Sequence, residues 1–462
     1  MSTATLVARL SDLHQMPQRK TALLLMGGGA RTAYQAGVLR GIAKILELQR
    51  AVPPLNPFQI IVGTSAGSIN AAFLACRALK WRQAIDDMAA LWLALHVPDV
   101  YEHDMPRLAA SGNRWLSMIG LGSHLRGRVR EGLHALLDAT PLRDTLSRAM
   151  DFPQLDRAID AGVLHALGVT ASSYTSGDHI TFVQGAEAVK TWQRPGRRAL
   201  KQAITIDHLL ASSAIPFIFA PVPLFLDEHV EYFGDGSMRQ LSPLSPTIHL
   251  GASKILAIGV GRAVDAPGSP LPAGSTQMMY APHDTAVYAP LPGLREIGAA
   301  TQGGAPLPAA ADAPGEAADA PGAAPHEDFA VGQMPSLAQV AGHAMATVFL
   351  DTLRSDVEQT LRLNDALRRL PADVAERLAF RPIEVLMFLP SQPIESLATA
   401  FVERAPKPVR GMLRALGAGE KSGAGLASYL LFEPDFIGAL VALGESDAFA
   451  RKDEVRQFFD LG

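Results

Sequence analysis

The sequence predicts an α/β fold: a largely parallel central sheet flanked by helices in three layers, with a helical insertion and a helical extension at the C-terminus. Two observations carry that expectation. A short apolar run, a glycine-rich turn and a helical pattern follow one another twice in the first eighty residues, and such alternation builds parallel sheets covered by helices. Further strand-like runs at residues 163–171, 180–182 and 255–260 continue the sheet beyond them. A chain of 462 residues, 48% of them hydrophobic and 19% charged, has enough apolar surface to enclose one large core.

In chain order, residues 21–26 read as a buried strand, Gly27-Gly28-Gly29 as a tight turn and residues 30–48 as a helix. Residues 58–62 form the next strand, and a helix over 66–79 follows a second glycine turn. Helical periodicity then dominates residues 81–149, including an amphipathic piece at 129–137, which predicts an insertion or cap. Residues 206–214 resemble a short helix stopped by Pro216. From about residue 262 to 334 the chain is saturated with Ala, Pro and Gly and carries no hydrophobic period, so it cannot offset its ordering entropy by burial. Order resumes with a helical run at 336–370, an apolar strand at 383–389 and helices to the end, and the strand predicts that this part joins the same sheet. The expected division is a tail at 1–19, a catalytic domain at 20–262, a flexible segment at 263–334 and an extension at 335–462.

Composition excludes several function classes. A formal net charge of -4 leaves no basic footprint for nucleic acid. The single cysteine, Cys76, rules out an intramolecular disulfide framework and a multi-cysteine zinc site, which fits a reducing compartment. The N-terminal residues lack a secretory pattern, and the longest apolar stretch, 204–226, is broken by Asp207, Pro216, Pro221 and Pro223. A cytoplasmic protein, soluble or peripherally membrane-associated, is therefore expected.

Three motifs carry chemistry. Gly63-Thr64-Ser65-Ala66-Gly67 sits between an apolar strand and a small-residue helix, the arrangement of a nucleophile elbow. Taken alone it also suits a glycine-rich turn whose serine caps a helix. Gly27-Gly28-Gly29-Ala30-Arg31 occupies another strand-to-helix junction, where consecutive amides can converge on an anionic oxygen. A dinucleotide loop is the rival there, but Thr32 fills the last glycine position of that fingerprint and no Walker ending is present. Arg31 either holds the loop or meets an anionic substrate group. Finally, Asp235 lies between Gly234 and Gly236 after an apolar run, so a strand end directs its carboxylate into a cleft, where partial burial would make it a base. An ordinary Asp-Gly turn is the alternative.

In order and spacing these three motifs resemble the bacterial patatin-like phospholipase family, as does Ala211-Ser212-Ser213-Ala214-Ile215-Pro216 ahead of the aspartate. The tail, with Ser428-Tyr429-Leu430-Leu431-Phe432 and Asp447-Ala448, is similar to C-terminal extensions of some bacterial members. The resemblance implies Ser65 as nucleophile, Asp235 as its base and the amides of Gly28, Gly29 and Ala30 as oxyanion donors. Gly27, Arg31, Gly63, Gly67 and Gly236 become supporting residues. It implies a lipid or phospholipid substrate, peripheral contact with membrane, no cofactor and no metal. Two residues depart from the family pattern: Thr32 replaces a glycine, and Ser237 stands where Ala or Gly is usual.

Two rival readings remain at this level. An α/β-hydrolase triad would add a histidine downstream of Asp235, such as His249, His326 or His343. A catalytically idle scaffold would bind lipid or protein through the same fold. Trp115, Leu116, Met118, Ile119 and Leu121 form an apolar patch that suits either a lipid-facing cap or core packing.

Overall fold

The structure, a computed structural model, describes residues 19–48, 56–102, 137–226, 228–261, 352–371, 374, 377–378, 380–415 and 424–461. The tail before Arg19, the patch around Trp115, the helical piece before Leu137, the 263–334 segment, His326 and His343 lie outside the described residues.

Among the described residues ten strands form one mixed, mostly parallel sheet. The chain begins β1 (Lys20–Leu25), α1 (Ala33–Glu47), β2 (Ile60–Thr64), α2 (Ala66–Cys76) and α3 (Trp81–Ala94). Next come α4 (Val97–Val100), α5 (Thr140–Ala149), α6 (Phe152–Asp160), β3 (Ala166–Ser173), β4 (His179–Gly185), β5 (Gln193–Arg194) and β6 (Arg197–Lys201). They are followed by α7 (Ile206–Ser213), β7 (Val222–Leu226), β8 (His229–Asp235), α8 (Ser245–His249) and β9 (Ala252–Ile258). The remainder is α9 (Thr352–Arg368), β10 (Glu384–Phe388), α10 (Ile394–Val402), α11 (Lys407–Ala415), α12 (Ala424–Leu430), α13 (Pro434–Ala450) and α14 (Lys452–Phe458).

Along the sheet the order is β10-β9-β1-β2-β3-β4-β6-β5, parallel from β10 through β3. β4 turns antiparallel to β3, and β8 also pairs antiparallel with β3 while carrying β7 on its other side. The central strands are buried at nearly every position because both of their faces are covered. Leu23 and Leu25 of β1 join Ile61, Leu256 and Ile258 in a large core under α1, α2, α3 and α13. Ala22, Leu24, Ile60, Val62, Ile255 and Ala257 face the opposite way, into a smaller core closed by Leu244, Leu353 and Val357.

Several element boundaries differ from expectation for identifiable reasons. The helix expected from residue 30 starts at Ala33, because Gly29–Thr32 is a 3-10 turn. The strand expected at 163–171 runs from Ala166 to Ser173, since His165 is spent on a loop bond from its amide to Gln59 O at 2.6 Å. No strand was expected at 222–226, yet β7 forms around Pro223 because it is an edge that pairs only with β8 and can spare an amide. The short β5 and β6 and the proline-initiated α6 also escaped the pattern reading.

Candidate active site

The site is assembled where three chain turns meet at one end of the sheet. The first leaves β2 through Ser65, whose φ of 54° lies in the left-handed region that a non-glycine residue rarely adopts. Such strain costs on the order of 1–3 kcal/mol and persists only when the surroundings hold it. Here they do: Ser65 N donates to Ser212 Oγ at 2.8 Å, and Ser212 Oγ donates to Thr170 O at 2.6 Å. On the other side Ser65 O accepts Ser68 N at 2.8 Å and Ser68 Oγ at 2.6 Å. Gly63 precedes this turn opposite Leu25 of β1, and a Cβ on Gly67 would stand 2.3 Å from Leu25 O, so only glycine lets α2 start against β1.

The second turn ends β8. Thr64 pairs with Thr170 of β3, and Asp235 pairs with the next residue, Ala171, so sheet register alone sets Ser65 beside Asp235. Ser65 Oγ donates to Asp235 Oδ2 at 2.5 Å, while Ser237 N donates to Asp235 Oδ1 at 2.8 Å. Both side chains are buried, Ser65 at 1% exposure. Burial pushes the Asp235 carboxyl up from its ordinary 3.8 to about 6, outweighing the bonds from Ser65 and Ser237 that pull it down. The pair can therefore pass a proton from hydroxyl to carboxylate near neutral pH. Gly236 follows, packed against Thr170, and its carbonyl accepts a bond from His179 Nε2 at 3.0 Å. Burial holds His179 down at about 4, so this imidazole is neutral and carries its proton on Nε2.

The third turn is the glycine loop after β1. A Cβ on Gly27 would stand 2.5 Å from Ser65 Cβ, which fixes how closely the loop approaches the serine. Gly28 lies against Val260. Gly29, at φ 55°, presses on α12, where a Cβ would meet Tyr429 O at 2.3 Å. Among the described residues the amides of Gly28, Gly29 and Ala30 donate to no other group. Arg31 is buried and tied to the C-terminal part: Nε donates to Ser428 Oγ at 2.7 Å, Nη2 to Gly425 O at 3.3 Å, and Nη1 lies 2.7 Å from Glu395 Oε1. Its guanidinium stacks 4.3 Å above the Tyr429 ring. Arg31 holds the loop.

The two departures from pattern are accommodated. Thr32 is buried in ordinary helical geometry at the end of the 3-10 turn. Ser237 bonds Asp235 through its backbone, and its buried hydroxyl also lowers the carboxyl without a well-aligned hydrogen bond. Beneath the site runs a buried network that motif reading missed. Gln35 Nε2 donates to Met26 O and Ile258 O, Asn70 Nδ2 to Gln35 Oε1, and Trp92 Nε1 to Asn70 Oδ1. Polar residues on the otherwise apolar faces of α1 and α2 were its sequence signal. Of the histidines weighed for a triad, His249 stacks on Trp192 with centroids 4.8 Å apart. Among the described residues no histidine hydrogen-bonds Ser65 or Asp235.

Residues 23–248 match the family model described as patatin-like phospholipase. No curated protein matches the chain. Among solved structures it is similar to VipD from Legionella pneumophila, at 14% identity and a TM-score of 0.25, covering 57% of this chain and 53% of that one. Human GIVD cytosolic phospholipase A2 gives 15% identity and a TM-score of 0.28, over 52% of this chain and 45% of that one. The complex of SpcU with ExoU from the type III secretion system of Pseudomonas aeruginosa gives 18% and 0.24, over 57% and 47%. The chain thus spans about half the length of the solved structures it matches.

Proposed function

We propose that this protein is a serine acyl hydrolase of the lipase or phospholipase A type, cleaving fatty acyl esters of lipids, a reading supported by the match of residues 23–248 to the patatin-like phospholipase model. The observation that carries the reading is the buried 2.5 Å contact between Ser65 Oγ and Asp235 Oδ2. Ser65 Oγ attacks the ester carbonyl carbon and its proton passes to Asp235. The amides of Gly28, Gly29 and Ala30 donate to the oxyanion, and their lack of other partners supports that role. Collapse of the intermediate returns the proton to the leaving alcohol and leaves an acyl-enzyme on Ser65. Asp235 then takes a proton from water, the resulting hydroxyl attacks the acyl carbon, and the fatty acid departs as Ser65 recovers its proton.

A fluorophosphonate probe should label the wild-type protein but not Ser65→Ala, and mixed bacterial phospholipids should yield free fatty acid only with the wild type. Equal release by Ser65→Ala would overturn the assignment, and an unlabelled but folded wild type would favour an idle scaffold.

A further inference from the structure

We propose that Gln35 and Asn70 are positioning residues: they fasten the glycine loop to the elbow helix and so set the gap between the loop amides and Ser65. Both are buried polar side chains, at 0% and 1% exposure. Gln35, near the start of α1, spends its two amide protons on Met26 O at 2.7 Å and Ile258 O at 3.1 Å. Met26 is the residue before Gly27, and its own amide donates to the same Ile258 O at 3.1 Å. The bond to Met26 therefore closes the loop where it leaves β1. Asn70, on the helix that follows Ser65, donates to Gln35 Oε1 at 3.0 Å and reaches Thr32 O at 3.4 Å, where the loop enters α1. Loop start, loop end and elbow helix share one pair of side chains.

The bonds run in a single direction. Trp92 Nε1 can only donate, and it donates to Asn70 Oδ1 at 2.7 Å, so the Asn70 amino group must point at Gln35 and Thr32. At the other end Met26 O and Ile258 O can only accept, which turns the Gln35 amino group toward them and its oxygen toward Asn70. Neither amide can flip without breaking bonds on both of its sides. The seam they hold has no slack: a Cβ on Gly67 would stand 2.5 Å from Met26 O, and one on Gly27 would stand 2.5 Å from Ser65 Cβ. Oxyanion stabilisation needs donors held at hydrogen-bond distance from the developing charge, and a misplacement of about 1 Å costs on the order of a hundredfold in rate. Stability alone does not call for such a network, since apolar side chains of the same shape would cost the fold little.

The proposal rests on the hydrolase reading, and its test tells the two apart. For wild type, Gln35→Met, Gln35→Glu and Tyr34→Phe, Tm is measured together with kcat and KM for a soluble short-chain ester. Tyr34→Phe controls for stability, because it removes a buried bond from the neighbouring residue of α1, one that runs to Asp447 of α13 rather than to the loop. Gln35→Met keeps the bulk but loses both donors, so kcat should fall about tenfold or more while KM stays within about twofold. Gln35→Glu, held protonated by burial, keeps one donor and the acceptor. Its kcat should lie between those of wild type and Gln35→Met, and it carries the test if Gln35→Met does not fold. Tyr34→Phe should lower Tm yet keep kcat within about twofold. With an active wild type, unchanged kcat in the Gln35 variants that fold would overturn the proposal, as would a kcat that falls with Tm equally in Tyr34→Phe. A wild type that cleaves no ester and takes no fluorophosphonate sinks the hydrolase reading, and the proposal falls with it.

Discussion

At the scale of single residues, Asp235 carries both the proposed chemistry and a stability cost. Its carboxyl is raised above 3.8 to about 6, so the base form predominates only above that value. Activity of wild type should therefore rise through about pH 6 on the acid limb, and an acid limb near 4 would show that Asp235 is not the titrating base. The linkage has the opposite sense. A group whose folded pKa is raised adds stability below its unfolded value and loses it as pH rises through about 6, leaving a penalty on the order of 3 kcal/mol at neutral pH. Asp235→Asn should thus abolish hydrolysis by about a thousandfold while raising Tm relative to wild type at pH 8, a gain that shrinks toward pH 4. Ser237 offers a complementary case, because its amide makes the well-formed bond to Asp235 while its buried hydroxyl exerts the weakest of the pulls on that carboxyl. Ser237→Ala should keep activity within about twofold and leave Tm unchanged or higher; a large loss of activity would give the hydroxyl a catalytic part. The sequence placed Ser65 and Asp235 in motifs, but the burial that raises the carboxyl depends on neighbours from β3, α7 and the glycine loop.

At the scale of elements, the local grammar was legible wherever a glycine punctuated a strand and a helix, as at Gly27 and Gly63. What grips those turns was not. The glycine loop is clamped by Ser428, Glu395 and Tyr429 through Arg31, roughly 400 residues away along the chain. Arg31→Met would leave Ser428 and Glu395 without their cation and loosen the loop beside Ser65, so kcat should fall more than about tenfold and Tm should drop. Retained kcat would show that the loop holds its shape without the clamp. The crossing of α1 and α13 is a second case. A Cβ on Gly37 would stand 2.0 Å from Val441 O, and one on Gly444 would stand 2.2 Å from Tyr34 O, so these helices touch backbone to backbone. Gly37→Ala should cost about 3 kcal/mol or more in urea unfolding, whereas Gly162→Ala, with nothing within 4 Å, pays only for its φ of 69°. The edge strand β7 remained hidden because prolines that forbid a central strand are tolerated at an edge.

At the scale of the whole molecule, the C-terminal part completes the fold begun at Lys20. β10 pairs in parallel with β9, Tyr34 of α1 bonds Asp447 of α13 at 2.9 Å, and Tyr101 donates to Leu430 O at 2.6 Å. Removing residues 384–462 would strip cover from α1 and from the glycine loop, so the shortened chain should lose two-state unfolding and bind a hydrophobic dye. A cooperative unfolding transition at wild-type Tm would contradict this. Among the described residues no helix is long and apolar enough to cross a membrane. By itself the sequence determined the α/β class, the strand-turn-helix units and the residue types of the site, because hydrophobic period and glycine placement are local properties of a chain. Only the tertiary structure decided which strand lies beside which, that Asp235 meets Ser65 across β3, that Arg31 belongs to a clamp, and that one face of β7–β8 stays uncovered by the described residues. Those outcomes depend on register and packing between segments distant in sequence, where the free energy of burial is shared among elements and written in none of them alone.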